Sequence, residues 1–124
     1  MTFFLAVLIG GAVGAPLRFL IDRAVTIRTV GVGVWREVPW GLVVVNVLGS
    51  AIAGVLVAAT SGELRTLLLT GMCGALTTFS GFAWETHRLW QVRRATFWIT
   101  IVITPAACVG AFLALWLGTQ SLIG

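Results

Sequence analysis

Side chains able to make or break bonds are few in this sequence and stand far apart. The acids are Asp22, Glu37, Glu63 and Glu85, the one histidine is His87, and the cysteines are Cys73 and Cys108. They form no metal-ligand cluster and no nucleophile with a base within reach, which excludes an enzyme. The remaining polar groups are neutral and sit inside apolar runs. Asn46 lies near the centre of a 25-residue uncharged stretch, residues 38–62. Residues 71–82 read Gly-Met-Cys-Gly-Ala-Leu-Thr-Thr-Phe-Ser-Gly-Phe, within a 19-residue uncharged stretch, 66–84. Thr100, Thr104 and Cys108 recur every four residues and so share one helical face. Hydroxyls, an amide and backbone carbonyls in an apolar setting suit the handling of an ion.

Residues 66–84 are long enough to cross a bilayer as a helix, yet their centre gathers Gly, Thr and Ser. Glycine lets other backbone approach closely, and hydroxyls can take over backbone hydrogen bonds that a break leaves open. In lipid, irregular backbone survives only where it is buried in protein or lines a wet cavity. Two readings stand: a helix broken at the membrane midplane with exposed carbonyls, or an intact, tightly packed helix. Asn46 likewise reads as a helix–helix hydrogen bond or as a pore-facing donor. The hydroxyl stripe hydrates an ion path or bonds back to its own preceding turn. On their own, Phe79 and Phe82 read as core residues.

The elements that position these groups follow from composition. The 124 residues are 59% hydrophobic and 10% charged, with a mean hydropathy of 1.06, where soluble domains are about one quarter charged. This implies one all-α integral membrane domain in the lipid bilayer, covering 1–124. Its four spans are expected at about 2–21, 39–61, 66–87 and 96–119. The eight arginines, with no lysine, fall between apolar runs, so they read as interfacial anchors and imply no nucleic-acid partner. Gly10, Gly11, Gly14 and Ala15 make a close-packing face in the first span, and Pro16 is expected to kink it. The first apolar run is expected to stay as a span, since no positive charge precedes it and no Ala-x-Ala site follows. Residues 22–40, with their Val-Gly-Val-Gly-Val run, read as a loop or a short irregular piece. Trp35 and Trp40 suit the headgroup level. Gly110, Ala114 and Gly118 form a further small-residue seam. Such seams exceed what one small bundle needs internally, which favours a dimer.

Several of these pieces together resemble the small fluoride-exporting channels of microbes, the Fluc or CrcB family. They are Gly10-Gly-Ala-Val-Gly-Ala-Pro-Leu-Arg18, Gly41-Leu-Val-Val-Val-Asn46-Val-Leu-Gly49-Ser, and the 71–82 run. The resemblance covers all four spans and implies an antiparallel dimer whose third helices cross at their breaks. It implies a structural sodium ion on the dimer axis, held by the carbonyls of Gly74 and Thr77, and oxygen ligands suit such a hard cation. It makes Phe79 and Phe82 pore residues. Three positions apart, about 300° of rotation at roughly 100° per residue leaves them near one face, and aromatic ring edges are electropositive. Asn46, Thr78 and Ser80 could add donors, and Arg18 matches an arginine near the aqueous vestibule. The implied function is fluoride export from the cytoplasm down its electrochemical gradient, across the cell inner (plasma) membrane, protecting against fluoride toxicity. Two features depart from the family: Gly81 replaces a common small polar residue, and no tyrosine stands on the fourth helix.

A small proton-coupled multidrug or cation exporter is the alternative, and it requires a carboxylate buried in the membrane. The first span has none, and Glu63 and Glu85 stand at span ends. A non-transporting membrane subunit would leave Asn46 and the Thr-Thr-Phe-Ser run unexplained. Orientation adds a last expectation. Seven of the eight arginines belong to the first and third connections, and Arg65 alone to the other side. That split places those connections in the cytoplasm and both termini outside. A chain fixed one way cannot form an antiparallel pair with itself, which points to a second, oppositely oriented homologue.

Overall fold

The computed structural model describes residues 2–29 and 33–124, without the side chain of Val34. Among the described residues every regular element is helical: α1 (Thr2–Arg28), a 3-10 turn (Gly33–Glu37), α2 (Trp40–Ala59), α3 (Gly62–Arg65), a π-helical segment (Thr66–Cys73), α4 (Gly74–Leu76), α5 (Phe79–Val92) and α6 (Arg94–Ile123). Four helical runs, Thr2–Arg28, Trp40–Ala59, Gly62–Val92 and Arg94–Ile123, are long and apolar enough to cross a bilayer.

Helix α1 continues well past residue 21, where the span was expected to end, and takes in the charged residues read above as a loop. No glycine or proline interrupts residues 17–28. Thr26 donates to Asp22 one turn earlier at 3.4 Å, and the Thr29 hydroxyl and amide both return to the Val25 carbonyl. Charge marks where a helix leaves the apolar phase and does not by itself end the helix. Of the Val-Gly-Val-Gly-Val run, residues 30–32 lie outside the described residues. Gly33 adopts φ +63°, a left-handed conformation that favours glycine. Beyond it Trp35 stacks on Trp40 with centroids 6.0 Å apart. Gly62, also at φ +63°, begins α3 directly after the α2 end.

Two packing interfaces hold the fold: α2 against α6, and α1 against the π-helical segment. Small residues set both distances. A β-carbon at Gly10 would collide with the Leu67 carbonyl, one at Gly14 with the Met72 carbonyl, and one at Gly71 would lie 2.9 Å from the Gly10 Cα. The first-span glycine face therefore packs backbone to backbone on the third span. Gly54 does the same for α2, against the Phe112 carbonyl of α6. Gly110 and Gly118 have open space where a β-carbon would go, so their seam faces away from the chain. Side chains that reach full burial are Leu89, Val45, Thr96 and Thr100, while many large apolar side chains of α1 and α6 are exposed. Such an arrangement fits lipid as the surrounding solvent.

Candidate functional site

The helical backbone of the third span is interrupted at two residues. Thr77 (φ −79°, ψ 154°) and Thr78 (φ −146°, ψ 118°) have extended backbone between α4 and α5. One asparagine holds that interruption. The Thr78 amide donates to Asn46 Oδ1 at 2.8 Å, and Asn46 Nδ2 donates to the Thr78 carbonyl at 3.4 Å. Asn46 is buried and carried on α2, the helix clamped against α6, so the amide is presented from a rigid element. It satisfies the Thr78 amide, which no helix can reach, and adds a second bond at the Thr78 carbonyl. Of the two readings of Asn46, the inter-helix hydrogen bond is present. The second holds alongside it, because Asn46 also lines a cavity of about 340 Å³.

The interruption changes which backbone groups are paired. In a continuous helix the Thr78 amide would bond the Gly74 carbonyl and the Gly81 amide the Thr77 carbonyl. Here the first goes to Asn46, and the second goes to Thr78 Oγ1 at 3.1 Å, which caps α5. The same hydroxyl lies 3.1 Å from Ser80 Oγ. The carbonyls of Gly74 and Thr77 thereby lose their helical partners. Gly74 is exposed, and a β-carbon there would meet nothing nearer than 3.9 Å. Gly81 fits tightly: a β-carbon would come within 3.0 Å of Thr78 Cγ2 and Leu42 Cδ1.

Phe79 is 82% exposed, and its ring lies 6.3 Å from that of Phe82 at a tilt of 44°. Both rings join Asn46, Thr77 and Thr78 on the 340 Å³ cavity, whose far wall is Thr104, Pro105 and Cys108 of α6. Thr104 is only 3% exposed, and its hydroxyl has no partner, as is also true of buried Thr100. The expectation that this stripe bonds back to its own helix therefore does not hold at Thr100 and Thr104. A buried hydroxyl without a partner costs about 1–3 kcal/mol.

Thr78 and Ser80 also face a second, wider cavity of about 700 Å³, which holds Arg18, Arg36 and Arg88. Sequence reasoning singled out Arg18. It missed that Asp22, Glu37 and Glu85 share the same cavity, because their spacing along the chain gives no sign of it. Glu85 pairs with Arg88 at 2.8 Å, and Asp22 packs at the first turn of α2 against Gly41. No carboxylate lines the inner 340 Å³ cavity. Ser50, the last residue of the Asn46 motif, and Pro105 line it too, and neither was singled out as a lining residue. His87 is exposed, 3.2 Å from Gln91 across one helical turn. Arg93 donates to the Gly33 carbonyl at 3.2 Å, joining the first and third connections at one end of the molecule.

Known proteins with this sequence pattern are numerous. A fluoride-specific ion channel (FluC 1) of Nocardia farcinica is 47% identical over 110 residues, spanning 87% of this chain and 74% of that protein. The corresponding channel of Streptomyces avermitilis is 40% identical, over 91% and 93% of the two chains. That of Novosphingobium aromaticivorans is 37% identical, over 100% and 98%. The family profile described as "CrcB-like protein, Camphor Resistance (CrcB)" matches residues 5–119. Running through all four apolar helices of a multi-pass membrane protein, that match shows that the chain belongs to the CrcB-like family.

Proposed function

We propose that the protein is a fluoride-selective channel of the plasma membrane, carrying F− out of the cytoplasm down its electrochemical gradient. The observation that carries this reading is the inner cavity. It combines two phenylalanine rings, an amide and threonine side chains, with no carboxylate. Moving a small ion from water into a medium of low dielectric costs on the order of 20 kcal/mol. A hydrogen bond in such a medium returns roughly 4–6 kcal/mol, so about four donors must act together. The Asn46 amide, the Thr78 hydroxyl and the ring edges of Phe79 and Phe82 supply them, with the Ser80 hydroxyl beside Thr78 at the wider cavity. Fluoride, the smallest halide and the strongest hydrogen-bond acceptor, gains most from such donors. Arg18, Arg36 and Arg88 at the wider cavity attract anions to the mouth, and the three acids there temper that field. A proton-coupled exporter is not favoured, because the acids stand in the wider cavity or at exposed helix ends.

The pore is completed by a second chain in antiparallel contact. Phe79 and the open face at Gly74 await a neighbour, and the seam of Gly110, Ala114 and Gly118 is unused within one chain. The carbonyls of Gly74 and Thr77 fit a sodium ion shared by the two chains, since they are hard oxygen donors without helical partners. Bound there, the ion would tie the chains together electrostatically. Because seven arginines gather at one end, the partner is an oppositely oriented homologue and not a second copy.

The test is fluoride tolerance of a bacterium lacking its own fluoride exporter. Expression of the chain with its homologue raises the fluoride concentration tolerated, and Phe82→Ile abolishes the gain. No gain with the unaltered pair would overturn the reading.

A further inference from the structure

Charge is unevenly balanced at the end of the bundle that carries the first and third connections. Asp22, Glu37 and Glu85 all line the wider cavity, where they stand against Arg18, Arg36 and Arg88. The remaining acid, Glu63, belongs with Arg65 to the second turn, at the opposite end. The net charge of +4 therefore falls on Arg23, Arg28, Arg93 and Arg94, which no acid balances. None of these four forms an ion pair among the described residues. Two of them stand side by side where α5 turns into α6. There the Arg94 guanidinium lies over the Trp90 ring, 4.4 Å from its centroid. Phe97 meets Trp90 edge to face at 5.0 Å and Trp98 at 5.1 Å. Both tryptophans and both arginines are exposed. A guanidinium held against a ring keeps its N–H edge available for a bidentate oxyanion. Arg93 gives one N–H to the Gly33 carbonyl and keeps the others.

We infer that this cluster binds an anionic phospholipid, its phosphate taken by Arg94 and Arg93 and its acyl chains running along α6. Trp90 ends one span and Trp98 begins the next, which sets the cluster at headgroup depth. Val102, one turn beyond Trp98, is also exposed, so an apolar face continues from the arginines toward the membrane interior. Net charge decides which lipid fits. A zwitterionic headgroup brings its own cation to two unbalanced arginines, whereas a net-negative headgroup compensates them. Lipids of that kind are enriched in the cytoplasmic leaflet, the side to which the arginine split assigns this end. Free phosphate shares the anionic group but has no chain to cover the tryptophans. The site needs a bilayer around the chain and does not depend on conduction.

The experiment takes the assembled protein in a neutral detergent and measures retained lipid by native mass spectrometry. Phosphatidylglycerol is compared with phosphatidylcholine of the same chain length. Phosphatidylglycerol is expected to bind more tightly, and excess inorganic phosphate is expected not to displace it. Arg94→Gln should weaken its retention about fivefold, the share of one arginine near an anionic surface. Arg65→Gln, at the other end, should leave retention unchanged. A photoactivatable phosphatidylglycerol, mapped on the unaltered protein, should mark residues 90–102 without recourse to any variant. Equal retention of the two lipids, or equal retention by Arg94→Gln and the unaltered protein, would overturn the inference. So would displacement by inorganic phosphate, which would make this a site for the free anion. Adducts that avoid residues 90–102, the result if a partner chain covers the cluster, would overturn it as well. Fluoride flux enters none of these measurements, so failure of the channel reading would show separately.

Discussion

Asn46 and Thr78 hydrogen-bond α2 to the interrupted third span, and their chemistry separates two jobs. The carboxamide oxygen receives the Thr78 amide and the nitrogen returns to its carbonyl. Asn46→Leu leaves that half-buried amide unpaired, a loss of up to about 1–3 kcal/mol, visible as a lower melting temperature of the purified protein. Asn46→Asp keeps an oxygen for the amide but places a negative charge on the inner cavity. We expect it to assemble yet to conduct no fluoride, and normal efflux would remove the cavity from the path. Phe82→Ile keeps apolar volume while losing the ring edge, so assembly persists and flux stops. Much of this constellation was legible in the sequence, because Asn46 and the Thr-Thr-Phe-Ser run are polar groups that an apolar span would otherwise exclude. The vestibule acids were not, since only the packing of α1, α2 and α5 brings them to one cavity.

At the scale of elements, glycine decides how closely the helices approach. Gly10→Ala would drive a methyl group into the Leu67 carbonyl, an overpacking of about 1–3 kcal/mol or more. The expected outcome is loss of folded protein in detergent, while Gly11→Ala, with open space at that position, is neutral. Gly110→Leu should leave the fold intact and reduce the mass of the assembled particle. An unchanged mass would place that seam against lipid. The first-span glycine face announced itself by its spacing of four. The π-helical segment did not, because residues 66–73 carry no local signal that separates i→i+5 from i→i+4 bonding, and packing against α1 selects it. Likewise the overrun of α1 to Arg28 follows from helix propensity continuing into water, which a hydropathy boundary cannot show.

For the whole molecule the arginine distribution matters most, because it sets which way the chain faces. The contact from Arg93 to the Gly33 carbonyl and the gathering of Arg18, Arg36 and Arg88 at one cavity put the cationic groups at one end of the bundle. An added cysteine at each terminus of the chain expressed alone should react with an impermeant thiol reagent from outside only. Equal labelling from both sides, with fluoride flux from the single chain, would remove the need for a homologous partner. Fluoride selectivity stands above this question of assembly, since it follows from a mostly apolar cavity with neutral donors and no acid. The most direct test is a fluoride electrode reading of efflux from liposomes holding the chain with the proposed homologous partner, beside a chloride electrode on matched liposomes. Rapid fluoride efflux with chloride held inside is the result this account predicts. Equal efflux of the two halides, or none beyond protein-free liposomes, would contradict it.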